Sequence, residues 1–277
     1  MTDGLPIVSA ALAALGVPGD ARVEPAAGGA SGSAWRVSVG GTTWVMRTLG
    51  SARTARGRVA AMSAARQAGL PAPEVLRRAG TPDGEVALLA WLPGVPLLEA
   101  LARAPERTRH YGERMGRLHR RLHEIQAPAE VIRVAGDTGH PFGAGRAIPG
   151  LPHGDRLLHL DWHPLNLLVD ESVGEIVGIV DWDNARAGDP SLDLSRTRSI
   201  LTLEPGLADL PDAVRLRLPE LLDAWADGYG DEARAIPGET NAWAGLVMLA
   251  DLAPRYADRP DALDHIRAWI ESAAAHR

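Results

Sequence analysis

The chain is 277 residues long, 45% hydrophobic and 23% charged, with a formal net charge of −6, which suits a globular protein with room for one large domain or two lobes. It has no cysteine and no lysine, all 29 basic residues being arginine, and this excludes disulfides, thiolate metal sites, cysteine nucleophiles, the Walker-A phosphate loop and Schiff-base chemistry. No apolar run approaches the roughly 18 residues of a membrane span, Met1 to Gly4 lack the layout of a secretory signal, and net acidity argues against nucleic acid as a partner, so the chain is expected to be cytoplasmic.

In chain order, an alanine- and leucine-rich helix is predicted over Leu5 to Leu15, stopped by Gly16 and Pro18. Ala34 to Val39 and Thr42 to Thr48 read as strands around a Gly40-Gly41 turn, preceded by a loop of small residues, Ala27 to Ser33. A helix over Thr54 to Ala68 ends at Gly69 and Pro71, and Val86 to Leu92 reads as a buried strand broken by Pro93-Gly94. Tyr111, Met115, Leu118, Leu122 and Ile125 then recur at helical spacing. The other face of that helix carries four arginines with His119 and His123. This histidine pair has metal-ligand spacing but no third ligand nearby in sequence, and it reads as surface histidine. Residues 127–156 make a long Gly/Pro-rich connection. Beyond residue 200 the pattern is helical, with a last apolar stripe of Leu263, Ile266, Ile270 and Ala274.

Charge is unevenly spread. Residues 1–158 carry 19 arginines against 13 carboxylates, and residues 159–277 carry 10 against 22. Between Pro25 and Pro73 there are six arginines and no carboxylate. A solvated basic face explains such a run, and so does an anionic ligand at one end of the molecule with a cationic one at the other.

The chemistry concentrates between Leu157 and Asp193. Asp161 follows a short strand, Asn166 stands five residues later, and a hairpin of apolar strands (167–169 and 176–180) returns to Asp181-Trp182-Asp183. In this arrangement Asp161 can accept a hydroxyl proton, while Asn166 and Asp181 offer oxygens to Mg²⁺ bound to a triphosphate. A carboxylate ending a buried apolar strand needs a partner or a metal, which favours a functional Asp181. Asp189 reads as turn chemistry, and Asp193 as a cap or loop brace.

His159-x-Asp161-Trp162-His163-Pro164-x-Asn166-Leu167-Leu168 resembles the catalytic loop of the aminoglycoside phosphotransferases and related antibiotic and small-molecule kinases. Val180-Asp181-Trp182-Asp183 with Gly188-Asp189-Pro190 and Asp193-Leu194 resembles that family's metal-binding segment, and Leu88 to Gly94 its hinge. The resemblance implies a bilobal, protein-kinase-like α+β fold. Residues 1–93 would form an antiparallel-sheet nucleotide lobe with the hinge, and 94–277 a larger, mostly helical catalytic and substrate lobe. It implies Asp161 as catalytic base or orienter, Asn166 and Asp181 as Mg²⁺ ligands, and ATP or GTP as donor. Ala90 and Leu92 would meet the base, Ser31, Gly32 and Ser33 would lie over the phosphates, and Arg47 would stand where kinases keep a strand lysine. His153-Gly154-Asp155 copies the family's usual spelling, but Leu160 stands five residues past Asp155, so Asp161 is the better match. The helix glutamate that usually pairs with the strand cation has no counterpart between Pro25 and Pro73.

The implied activity is phosphorylation of a hydroxyl on a small molecule. A cationic antibiotic, an aminoglycoside or basic peptide, is expected from the acidic second half, with Asp183, Glu220, Asp223 and Asp227 as candidate substrate contacts and resistance as the outcome. A macrolide or a metabolic amino-alcohol is the alternative acceptor. A metal-dependent hydrolase built on His159, Asp161 and His163 leaves Pro164 and Asn166 without a role. A nucleotide-binding module without turnover would account for the missing helix glutamate.

Overall fold

The computed structural model describes residues 5–26, 34–134 and 151–275. Helix α1 (Leu5–Ala14) is followed by strands β1 (Arg22–Pro25), β2 (Ala34–Val39) and β3 (Thr42–Gly50), helix α2 (Ala52–Gln67), and strands β4 (Val75–Thr81) and β5 (Gly84–Ala90). The strands form one antiparallel sheet in the order β1-β2-β3-β5-β4. Gly40 and Gly41 both adopt positive φ, as the tight turn between β2 and β3 requires.

Because side chains alternate along a strand, the two faces of β3 do different work. Met46 joins Val37, Val86 and Leu88 against Val8 and Ala11 of α1 and Leu15 just after it. The alternate set, Val45, Arg47 and Leu49, lines a cavity on the opposite face. Ser51 caps α2 by accepting a hydrogen bond from the Thr54 amide. The helix buries Ala55, Ala61, Met62 and Ala65. Arg58 and Met62, four residues apart and therefore on one side of the helix, both reach that cavity.

After the sheet come β6 (Val95–Pro96), α3 (Leu97–Arg103), α4 (Thr108–His123), β7 (Arg156–Leu158), β8 (Leu167–Asp170), β9 (Glu175–Ile179) and β10 (Arg186–Gly188). The rest is helical: α5 (Pro190–Leu203), α6 (Asp212–Arg215), α7 (Leu218–Tyr229), α8 (Gly238–Leu252) and α9 (Asp264–Ala275). β6, β8 and β9 make a small sheet, and β7 pairs with β10. One apolar cluster runs from Leu49, Met62 and Leu89 through Leu97 and Met115 to Trp162 and Trp225, so the sheet and the helices share a core. α4 and α7 approach backbone to backbone: a Cβ on Gly112 would stand 2.6 Å from the Ala224 Cβ, and one on Gly116 would strike the Trp225 carbonyl. Among the described residues no helix is long and apolar enough to cross a membrane.

The α+β class, with its N-terminal antiparallel sheet and helical remainder, is the expected one. Four strands were not legible: β6 and β10, of two and three residues, and β1 and β4. β4 exposes most of its residues and shows no alternation, and β1 is four residues long. The strand expected to run to Leu92 ends at Ala90.

Candidate active site

Asp161 lies on the loop after β7, and the backbone there is unusual. Leu160 adopts φ 60°, a left-handed conformation that costs a branched L-residue about 1–2 kcal/mol. The fully buried Asp193 on α5 holds that turn. Its Oδ2 accepts the His159 amide at 2.6 Å, and its Oδ1 accepts the Leu160 amide at 2.9 Å. The Leu160 carbonyl receives Arg196 Nε at 3.5 Å. Asp193, legible only as a cap or brace, is therefore the brace of the loop that presents Asp161.

The five-residue spacing of Asp161 and Asn166 closes on itself. Asn166 Nδ2 donates to the Asp161 carbonyl and to its Oδ2, each at 2.9 Å. His163 Nε2 stands 3.4 Å from Asp161 Oδ1. Burial pushes the Asp161 carboxyl up, but the hydrogen bond and charge of His163 outweigh it and hold the group down at about 2. Asp161 is thus ionised at neutral pH.

Asp181 is carried in by β9 and also sits at φ 60°. The Val180 amide donates to the Asn166 carbonyl at 2.9 Å. The Val180 carbonyl accepts His159 Nε2 at 3.0 Å, so the His159 proton sits on Nε2. These bonds tie the Asp181 segment to the Asp161 loop. Burial raises the Asp181 carboxyl, Arg47 opposes the rise, and the nearby Asp183 and Asp161 add to it. Arg47 Nη2 lies 2.6 Å from Asp181 Oδ1 and 3.0 Å from Asp183 Oδ2, and Arg58 Nη1 lies 3.4 Å from Asp183 Oδ1. Arg47, Arg58, Asn166, Asp181 and Asp183 form the polar end of a cavity of about 340 Å³. Val45, Leu89, Leu168 and Val180 supply apolar lining, and Ala90 and Leu92 also border it. The Ala90 amide is taken by the Glu74 carbonyl at 2.8 Å, so its own carbonyl is what it can offer a ligand.

Asp181 and the Asn166 amide oxygen fit a small hard cation. They are oxygen ligands, few in number, and carboxylates crowd there with Arg47 as the cation bound directly to Asp181. The site thus brings together Asp161, Asn166, Asp181, Asp183 and Arg47. Ser31, Gly32 and Ser33 lie outside the described residues. Glu220, Asp223 and Asp227 stand on α7, outside the cavity lining. Glu220 is paired with Arg217 at 2.7 Å, and Asp227 with Arg109 at 2.9 Å and Arg234 at 2.8 Å. Asp183 lines the cavity and lies within ion-pair distance of Arg47 on β3 and Arg58 on α2. Arg58 was not singled out in the sequence. The available signal was an arginine at helical spacing from Met62 in a run without carboxylates.

His119 and His123 are buried, contrary to the surface reading, because α7 covers the face of α4 that its flanking arginines made look exposed. Each Nε2 lies 3.2 Å from Asp193 Oδ2, which supplies the third group that sequence spacing could not reveal. The trio has the composition of a metal site, but its protons argue otherwise. Trp225 Nε1 can only donate, and it donates to His119 Nδ1 at 3.3 Å, so the His119 proton sits on Nε2, where a metal would need a lone pair. The cluster is a hydrogen-bonded brace, with His119 a neutral ring, beneath the loop that carries Asp161.

Burial and the neighbouring His123 lower His119 from 6.5 to about 4. Its unfolded form takes up a proton below pH 6.5 that the folded form refuses until about pH 4. Stability is therefore complete above pH 6.5 and falls by about 3 kcal/mol as pH drops through that window. Urea unfolding at pH 7.5 and pH 4.5 is expected to reveal this slope, and His119→Gln is expected to flatten it.

The family model of a phosphotransferase enzyme family (APH) matches residues 22–142 and 145–246. No curated protein matches the chain. A solved thermostable mutant of aminoglycoside phosphotransferase APH(4)-Ia, in ternary complex with ADP and hygromycin B, is 17% identical with a TM-score of 0.60, over 94% of this chain and 96% of that one. Aminoglycoside-3'-phosphotransferase of type VIII is 20% identical with a TM-score of 0.59, over 87% and 97%. Aminoglycoside phosphotransferase APH(3'')-Id from Streptomyces rimosus ATCC10970 is 19% identical with a TM-score of 0.54, over 90% and 98%. At such identities these likenesses are likenesses of fold.

Proposed function

The chain belongs to the phosphotransferase enzyme family, and on that premise we propose that it is a cytoplasmic kinase moving the γ-phosphoryl group of ATP or GTP to a hydroxyl of a small molecule. The observation that carries this reading is the meeting of Asn166, Asp181 and Arg47 at the polar end of a largely apolar cavity, with Asp161 bonded to Asn166 just beyond its lining. A nucleotide base suits the apolar end beside Ala90 and Leu92, and its phosphates would run toward Arg47. Residues 1–93 would then hold the nucleotide, and 94–277 the acceptor and the catalytic loop.

Asp161 accepts the hydrogen of the acceptor hydroxyl and aims its oxygen at the γ-phosphorus. As the new O–P bond forms and the bond to the β-phosphate oxygen breaks, the proton passes to the carboxylate and the nucleoside diphosphate leaves. Asn166 and Asp181 would hold Mg²⁺, which when bound supplies charge neutralisation on the phosphates. Arg47 replaces the point charge of a lysine with a two-pronged donor for phosphate oxygens.

For the acceptor we favour a cationic, hydroxyl-bearing antibiotic such as an aminoglycoside. The excess of carboxylates after residue 158 supports this class, and a structure of similar fold holds hygromycin B. The engagement of Glu220 and Asp227 by arginines favours a second reading, a macrolide or amino-alcohol acceptor that needs less negative charge. A panel of these acceptors, each with ATP and with GTP in Mg²⁺ buffer, separates the two. Turnover of aminoglycosides or basic peptides supports the first, turnover of macrolides or amino-alcohols alone supports the second, and no phosphate transfer to any acceptor contradicts the kinase reading.

A further inference from the structure

The usual partner of a strand cation is a carboxylate on the following helix; here α2 offers an arginine. Arg58 lines the same cavity as Arg47, and the two guanidiniums are bridged by one carboxylate, Asp183. The bridge is unequal. Arg47 sits 3.0 Å from Asp183 Oδ2, and Arg58 sits 3.4 Å from its Oδ1 through a single nitrogen. Arg58 Nε and Arg47 Nε are both buried and have no hydrogen-bond acceptor among the described residues. Arg186 on β10 also acts electrostatically on Asp183 and on Arg58. Asp183 thus pairs with two arginines and lies in the field of a third.

Such an arrangement is costly without an anion. Burial works against the charge of Arg58, Asp183 only partly offsets it, and Arg47 adds repulsion. Buried N–H groups without acceptors carry a further desolvation penalty. Both costs would be relieved by a polyanion arriving at the polar end of the cavity, where Arg58 and Arg47 converge.

We propose that Arg58 is a second phosphate-binding residue, held in reserve by Asp183 and turned onto the polyphosphate of the donor nucleotide alongside Arg47. This rests on the kinase reading above and adds to it a residue on α2 that senses phosphate rather than base. The helix thereby contributes positive charge to the site, where a glutamate would contribute negative charge and only orient the strand cation.

The test is direct binding, measured by calorimetry on the full chain with Mg²⁺ and three probes: ATP, ADP and adenosine. Arg58→Met keeps an unbranched side chain of similar reach and removes the charge; Arg58→Lys keeps the charge. A charge-assisted hydrogen bond corresponds to about tenfold or more in affinity. Arg58→Met is expected to weaken ATP by about tenfold or more, ADP less, and adenosine by no more than about twofold, with Arg58→Lys recovering most of the loss. Equal weakening of ATP and adenosine would mean that Arg58 only shapes the cavity, and an unchanged ATP-over-adenosine ratio would mean that it never touches phosphate. Either result overturns the proposal while leaving the kinase reading standing. A wild-type chain that binds neither ATP nor ADP would bring down the kinase reading itself and this inference with it.

Discussion

Asp161→Ala is expected to lower the phosphotransfer kcat by about 10²- to 10⁴-fold, the contribution of a positioned proton acceptor, while nucleotide affinity stays within a few-fold of wild type. The separation follows from geometry. The cavity is bordered by Val45, Arg47, Leu89, Leu168, Asn166 and Asp181, all of which the variant keeps. Asp161 lies beyond that lining, bonded to Asn166 Nδ2 at 2.9 Å. Removing the carboxylate leaves Asn166 its bond to the Asp161 carbonyl at 2.9 Å, so the amide is not set adrift. Because the carboxyl is held at about 2, the wild-type rate is not expected to show an acid limb from Asp161 above about pH 3. Steady-state kinetics together with calorimetric nucleotide binding check both halves. A parallel loss of rate and affinity would move Asp161 from catalysis to binding.

Asp193→Ala is expected to be the most destabilising single change around the site, at about 3–5 kcal/mol, the cost of removing one side of a buried charge network. Asp193 is fully buried and accepts the amides of His159 and Leu160 and the ring of His123, with His119 at 3.2 Å. Without it two backbone N–H groups lose their acceptor, and the left-handed Leu160 loses the bond that holds it. The loop that aims Asp161 then relaxes, so the folded fraction is expected to have a lowered kcat. Asp193→Asn, which fills the same volume with one acceptor oxygen, is expected to fall between wild type and Ala in both urea midpoint and rate. Loss of stability with full activity in the folded fraction would mean that the brace does not set the loop.

Much of this site was legible because its signals are local. The Gly40-Gly41 turn and its flanking strands, the buried β5, and the five-residue spacing from Asp161 to Asn166 are each contained within a few residues. The hairpin of β8 and β9 that returns Asp181 is equally compact. What was not legible depends on long-range contact. Arg47 and Asp181 are 134 residues apart in sequence, and nothing in either segment announces the 2.6 Å contact between them. His119 and His123 looked exposed beside arginines until α7 covered them through the glycines of α4. Glu220 and Asp227 of α7 read as available in the sequence, but Arg217 pairs with the first, and Arg109 and Arg234 with the second. A charge count registers such residues without their partners.

In the proposed function Asp181 and Asn166 share a divalent cation with the phosphates of a nucleotide gripped by Arg47. Binding of a non-hydrolysable ATP analogue with and without Mn²⁺, in the wild type and in Asp181→Ala, measures it most directly. The account predicts a wild-type affinity that rises about tenfold or more with the cation, a nucleotide-dependent Mn²⁺ resonance signal, and loss of both in Asp181→Ala. A wild-type protein that binds the analogue equally with and without Mn²⁺, or an Asp181→Ala variant that keeps the full increment, would contradict it.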